Sequence, residues 1–342
     1  MIRSAIFATL VLSFIFAMPE AIHAQRGGRS QSEVIEVRLA SPMPRNSDWG
    51  RALDRLASEW ARVTNNEVRL RILHDGVEGS EAKVFSSLAS GNIQAALFTT
   101  FGMSEITPAI MTLSIPFFIR GDEELALVLE GVRPLLDEQA SRTNFAIVAW
   151  SRGGWVNIFS RDEVRVPDDL RRQRMASGPE AQELNAAFRT MGFEVEEADL
   201  VDLGPRIANN RVSAMYQSPA ATAPLQLHRH LRHMLDLPIA PFLGAVVMNR
   251  GIWNRLGPDR QRAIQNVTQR IVDEFDSSMP RTVENAMVSM RRDGLRVHQI
   301  TSAQEDLWQA EVDRAMPLLL DTTFDRAMYQ RINEILARVR GQ

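Results

Sequence analysis

Hydrophobic positions along the chain switch repeatedly between two periods. Ile35, Val37 and Leu39 alternate as in a strand, and Trp49, Leu53, Leu56, Trp60 and Val63 then recur at steps of three and four, the spacing of one helical face. Val68, Leu70 and Ile72 predict a second strand, a helix carrying Val84, Phe85 and Leu88 ends at Gly91, and residues 93–98 predict a third strand. A helix is expected over about 123–141, followed by a strand over 145–150 that can leave this first domain through residues 151–154. Further strands are expected over 156–159, 174–177, 195–197 and 212–216. Residues 258–292 read as one long helix, with Pro258 in its first turn and Pro280 expected to kink it. Strands alternating with helices predict a parallel α/β sheet whose ligands sit at the carboxyl ends of its strands.

The segment ahead of this pattern has a different character. Arg3 precedes an apolar run from Ala5 to Met18, too short to span a bilayer comfortably, and Ala24 offers a small residue for cleavage. Residues 1–24 are therefore expected to be a cleaved signal peptide and 25–33 a polar, flexible N-terminus. The mature protein would then be soluble and periplasmic.

Composition narrows the function further. The chain has 342 residues, 45% hydrophobic and 24% charged, enough for two filled cores, and a net charge of −3 with dispersed cations argues against nucleic acid as a partner. The absence of cysteine removes disulfides, a lipid-modified cysteine and thiolate metal sites. No Gly-x-Ser-x-Gly elbow, phosphate-binding Gly-rich loop or His-Glu-x-x-His occurs, which weakens hydrolase, nucleotidase and metalloprotease readings. His228, His230 and His233 are interleaved with Arg229 and Arg232 and read as a solvated surface rather than a metal site. Glu196, Glu197, Asp199 and Asp202 read as surface or domain-edge acids, since neighbouring positions on a strand face opposite ways. The chain is expected to be no enzyme and to need no cofactor or metal.

Several phrases carry a resemblance. IEVRLASPMP from Ile35 to Pro44, SLASGNIQAALFTTFG from Ser87, LSIPFF from Leu113, VPDDLRRQRMAS ending at Ser177, and the stretch from Met234 to Gln265 together resemble the extracytoplasmic solute receptors of tripartite ATP-independent periplasmic (TRAP) transporters, the DctP type. The resemblance implies an α/β, two-domain periplasmic-binding-protein-like fold with a cleft between the domains and a long connecting helix. The expected division is 34–152 with 242–278 for the first domain and 153–241 with 279–340 for the second. It implies a receptor that closes on a small organic ligand and delivers it to membrane subunits of a permease driven by an ion gradient. In the organic-acid receptors of this family an arginine after the Pro-Asp-Leu phrase clamps the ligand carboxylate, and the corresponding position here is Ala176. A second basic residue of the relatives is also lost, since GGWVN offers Trp155 or Val156.

Trp49, Trp60, Phe85 and Trp253 sit in helical patterns and are assigned to the core. The ligand-binding set expected at strand ends and loops is Met43, Phe101, Phe117, Phe118, Trp155, Met175, Ala176, Ser177, Tyr216, Gln217, Ser218 and Phe242. Arg174 shares the face of Ala176 by strand parity and is the possible anion contact, while Arg152 and Arg250 are expected near the domain boundary. Lacking the clamp, the cleft is expected to take a neutral, amphipathic or apolar ligand. The alternatives are an organic-acid receptor of the same transporter type and a stand-alone periplasmic carrier of lipids or other hydrophobes.

Overall fold

A computed structural model describes residues 34–179 and 182–341. The expected signal peptide and N-terminal stretch lie outside the described residues. Ten strands occur among those described: β1 Ile35–Ala40, β2 Val68–Leu73, β3 Ala95–Thr99, β4 Phe145–Ser160, β5 Arg174–Ser177, β6 Glu194–Glu197, β7 Ala214–Gln217, β8 His233–Leu235, β9 Ala240–Asn249 and β10 Arg296–His298. They follow the order β2-β1-β3-β9-β4-β7-β5-β6, with β8 pairing β4 and β10.

The sheet is mixed, which corrects the expectation of a parallel one. β1 runs parallel to β2 and β3, and β5 runs parallel to β6 and β7. Between these two parallel sets lie β9 and β4, antiparallel to each other and to the strands they border. β4 is also one strand of 16 residues where the sequence suggested two, because Ser151–Gly154 bends without ending it. Its register against β9 shifts between Arg152 and Trp155. Gly154 there has φ +84°, and a Cβ on Gly153 would lie 2.3 Å from the Phe242 ring, so both glycines are required where the chain passes from one half to the other.

Each half buries both faces of its strands. Alternation along β3 puts Ala95 and Leu97 with the helix Asp48–Val63, and Ala96 and Phe98 with the helices Glu81–Ala89 and Gly121–Ser141. The first of these helices starts at Ser47, whose side chain accepts from Gly50 N, and buries Trp49, Leu53, Leu56 and Trp60. Trp60 Nε1 donates to Thr268 Oγ1 at 2.9 Å, tying that helix to the long one. In the second half Phe159, Met215 and Ile207 pack on one side, and Ile158, Met175, Phe193 and Trp308 on the other.

The long helix is Gly257–Arg292, 36 residues and about 54 Å, and it continues past Pro280. Its Ile264, Val267 and Ile271 join the first half's core, while Ala286 and Met290 join the second's. Where β4 crosses over, Arg152 pairs with Asp276 of this helix at 3.2 Å and Ser151 Oγ donates to the same carboxylate at 3.1 Å. Burial holds Asp276 above the usual carboxylate range despite the guanidinium beside it. The last helix, Arg326–Arg340, breaks the expected division. Its Met328, Ile332, Ile335 and Leu336 pack with Leu125, Val128 and Val132 of the first half, and Arg340 pairs with Glu124 at 2.7 Å. Among the described residues no helix is long and apolar enough to cross a membrane.

Candidate ligand cavity

A cavity of about 250 Å³ opens where the carboxyl ends of the parallel strands of both halves face each other. β3 delivers Thr99 and the following Phe101, β5 delivers Met175, Ala176 and Ser177, β7 delivers Tyr216 and Gln217, and β9 begins with Pro241 and Phe242. The sequence places these side chains there because the sheet must hand over to a helix or loop at each strand end, where backbone polar groups are left free of the ladder. Phe117 joins them in a left-handed conformation, φ +60°, fixed by its amide donating to Ile239 O at 2.8 Å. Such a conformation is unusual for a bulky residue and aims the ring into the cavity wall.

Two buried hydroxyls stand in the wall. Ser177 is buried, and its Oγ and the Tyr216 hydroxyl are both shielded from solvent, with a loose hydrogen bond to each other and none to any other group. Burial pushes the Tyr216 phenol up to about 12, so it remains a protonated donor at any physiological pH. Three carboxylates also line the cavity, from Glu81, Asp199 and Glu311. Glu81 accepts from Thr99 N at 2.6 Å, Thr99 Oγ1 at 2.7 Å and Gly102 N at 3.3 Å. Glu311 pairs with Arg171 and Arg314, each at 2.8 Å. Among the described residues no arginine, lysine or histidine lines the cavity.

Of the residues expected at the ligand site, Phe101, Phe117, Met175, Ala176, Ser177, Tyr216, Gln217 and Phe242 come together in this wall. Met43, Phe118, Trp155, Ser218 and Arg174 do not line it. Met43 is buried beside Trp49 and Leu53. Phe118 stacks on Tyr329 with ring centroids 5.0 Å apart. Trp155 turns its indole nitrogen to Asp122, 3.0 Å away, and packs on the first half's core. Ser218 caps the short helix Pro219–Thr222 by accepting from Ala221 N. Arg174 is exposed at the far end of β5, donating to Asn210 O at 2.5 Å and lying 3.8 Å from Glu194. Arg152 bridges at the crossover as described, whereas Arg250 is spent on the carbonyls of Ala140 and Thr143, each at 2.9 Å. Glu196 and Glu197 pair with Arg206 and Arg189 on the outside of β6.

Sequence reasoning missed the helical part of the wall: Leu184, Phe188, Met191, Trp308, Val312 and Met316. These lie on the helices Gln182–Thr190 and Ser302–Leu319 or just beyond. Their spacing of three and four was available as a signal, but an apolar helical stripe looks the same whether it faces a core or a cleft. The histidines also differ from the solvated surface expected of them. His228 is buried on Asp293 at 3.3 Å and His233 meets His298 at 2.8 Å, with only His230 of the three exposed.

Two α/β halves joined by antiparallel strands and a shared helix, with a mostly apolar cavity between the strand ends, form the architecture of a solute-binding protein. The profile of the bacterial extracellular solute-binding protein family 7, DctP, matches residues 39–319, and the chain belongs to that family. A solute-binding protein of Chromohalobacter salexigens is 26% identical over 123 residues, which make up 35% of this chain and 37% of that protein. The match thus spans little more than a third of that relative's length. Among solved structures, a TRAP periplasmic solute-binding protein of Sulfurospirillum deleyianum with bound succinate superimposes with a TM-score of 0.81 at 15% identity, over 89% of this chain and 99% of that one. The sugar acid binding protein of Advenella mimigardefordensis in complex with galactonate gives a TM-score of 0.83 at 12% identity, over 90% and 99%. At these identities the likeness is one of fold.

Proposed function

We propose that the chain is the periplasmic receptor of a TRAP transporter, exported by a signal peptide cleaved near Ala24, and that it captures a small neutral or amphipathic solute for an ion-gradient-driven permease. The observation that carries the ligand class is the cavity wall, which holds the buried hydroxyls of Ser177 and Tyr216, set against each other and bonded to no other group, and no cation among the described residues. A carboxylate taken into such a wall leaves water without a free guanidinium to receive it, since Arg171 and Arg314 behind the wall are already held by Glu311, a cost of several kcal/mol (about 4 or more). An apolar body bearing one or two hydroxyl or carbonyl groups avoids that cost and supplies partners to the two buried hydroxyls. By proportion to a 150 Å³ cavity that accepts benzene, this one accommodates roughly ten heavy atoms.

The test is native mass spectrometry of purified protein for a co-purifying molecule, followed by calorimetric titration with that molecule, with succinate and with a sugar acid. Binding of the neutral molecule and silence with both acids is the expected result. Tight binding of either acid by wild type would overturn the ligand class and restore the organic-acid reading. Ala176→Arg supplies the control: it should lower the melting temperature of the unliganded protein and create affinity for a small carboxylate where there was none.

A further inference from the structure

The second half carries another pocket at the opposite end of its strands from the cavity. β4 meets the cavity with Val156 and Ile158 and ends at Ser160, and the next residue, Arg161, belongs to this second pocket. The parallel strands β8 and β10 begin at it with His233 and Arg296. Its volume is about 430 Å³, and its charged wall consists of Arg161, Arg229, Arg232 and Arg296 with His230 and His233. No carboxylate lines it among the described residues.

The arginines of this wall are poorly compensated. Arg161 donates to the Asn210 side chain and to Ile207 O, and Arg232 Nε donates to Arg229 O at 3.2 Å. These neutral acceptors satisfy donors but cancel no charge. Arg229 has its nearest carboxylate, Asp293, at 3.9 Å, and the exposed Arg296 has no side-chain hydrogen bond or ion pair among the described residues. By contrast Arg171 lies on Glu311 and Arg260 on Glu67. Four guanidinium groups around one concavity repel one another unless an anion joins them.

His233 adds a second observation. Its ring and that of His298 are nearly coplanar, 7° apart, with centroids at 5.0 Å and facing nitrogens at 2.8 Å, so they meet edge to edge and share one proton. The other nitrogen of His298 faces Glu163, 3.5 Å away. Burial, then the charges of His298 and Arg296, hold His233 below the ordinary histidine range against the opposing pull of Glu163 and Asp162. Four arginines with no carboxylate among the described lining residues make the pocket a region of positive potential, which a bound anion would offset.

We infer that this pocket binds a phosphate group, either free as inorganic phosphate or pyrophosphate or carried on the headgroup of an anionic lipid. Forked guanidinium donors converging on a concavity match the several oxygens and double charge of a phosphate better than the single charge of a carboxylate. The inference stands independently of the solute reading, since it uses none of the residues around the central cavity.

The experiment titrates purified wild type and Arg232→Gln/Arg296→Gln protein with inorganic phosphate and pyrophosphate by calorimetry at low ionic strength. In parallel, both are sedimented with vesicles of phosphatidylglycerol and of phosphatidylcholine. Each arginine removed should weaken binding by about tenfold or more. Both replaced side chains are exposed, so equal melting curves are expected, and Arg296→Gln alone serves if the double variant melts early. Saturable pyrophosphate binding lost in the variant supports the site with a soluble ligand; retention on phosphatidylglycerol vesicles alone, lost in the variant, supports it with a lipid one. The His233 titration followed by NMR should move upward when pyrophosphate is added. Binding that survives both substitutions, equal retention on phosphatidylcholine, an unmoved His233 or no binding to any probe would overturn the inference.

Discussion

Ser177 and Tyr216 hold hydroxyls in the cavity that the protein bonds only loosely to each other, so their removal should separate binding from folding. Tyr216→Phe is expected to leave the melting temperature of the unliganded protein unchanged or higher, because a desolvated hydroxyl disappears, and to weaken ligand binding by about tenfold. Calorimetry and thermal melting on the same sample check both halves of that statement; a large loss of stability with unchanged affinity would make the phenol a structural group. Trp155→Ala should behave oppositely, costing about 2 kcal/mol of stability through lost packing and its bond to Asp122 while sparing affinity. Tyr216 and Ser177 were legible in the sequence because they stand at the ends of strands, where a crevice forms. Trp155 was misplaced for a related reason: parity along β4 resets at the register shift beside it, and nothing in the sequence counts that residue out.

The elements most exposed to test are the crossover and the helix Asp48–Val63. Ala at Gly154 must adopt φ +84° and should cost about 1–2 kcal/mol. Ala at Gly153 pushes the Phe242 ring, a cavity wall, and should lower affinity more than stability. Glu59 fastens its helix to the long one through Arg62 of its own helix and Arg270 of the other, each at 2.8 Å. The Arg62 hydrogen bond chiefly, then Arg270, holds Glu59 down to about 2. A carboxylate depressed on folding stabilises above its unfolded value of 4.5, and that contribution fades as pH falls toward about 2. Melting curves across that range should therefore show wild type above Glu59→Gln at neutral pH and converging with it in acid, with a smaller gap in high salt. Most elements were legible from periodicity, the long helix and β5 to the residue or nearly so. The direction of β4 and β9 was not, since a strand's hydrophobic pattern is the same read parallel or antiparallel.

For the molecule as a whole, ligand shared by two halves should draw them together. Small-angle scattering is expected to show a smaller radius of gyration on saturation, and the melting temperature should rise with ligand, by about 2.7 kcal/mol of added stability at a hundredfold excess over Kd. A scattering curve unchanged by saturating ligand would remove the hinge. The two-half plan was legible from the resemblance of phrases spread over the chain. The destination of the last helix was not, because an amphipathic stripe does not name the surface it will cover. That destination reaches into how the protein is made. Met328, Ile332, Ile335 and Leu336 complete a core whose Leu125, Val128 and Val132 are synthesised about two hundred positions earlier. The half that emerges first is expected to close fully only once the helix Arg326–Arg340 has been made, with Val128, Val132 and Leu136 less covered until then. Ending translation before Arg326, which removes this helix, is expected to leave a degraded chain rather than a shortened receptor, checked by the level of the truncated protein in cells.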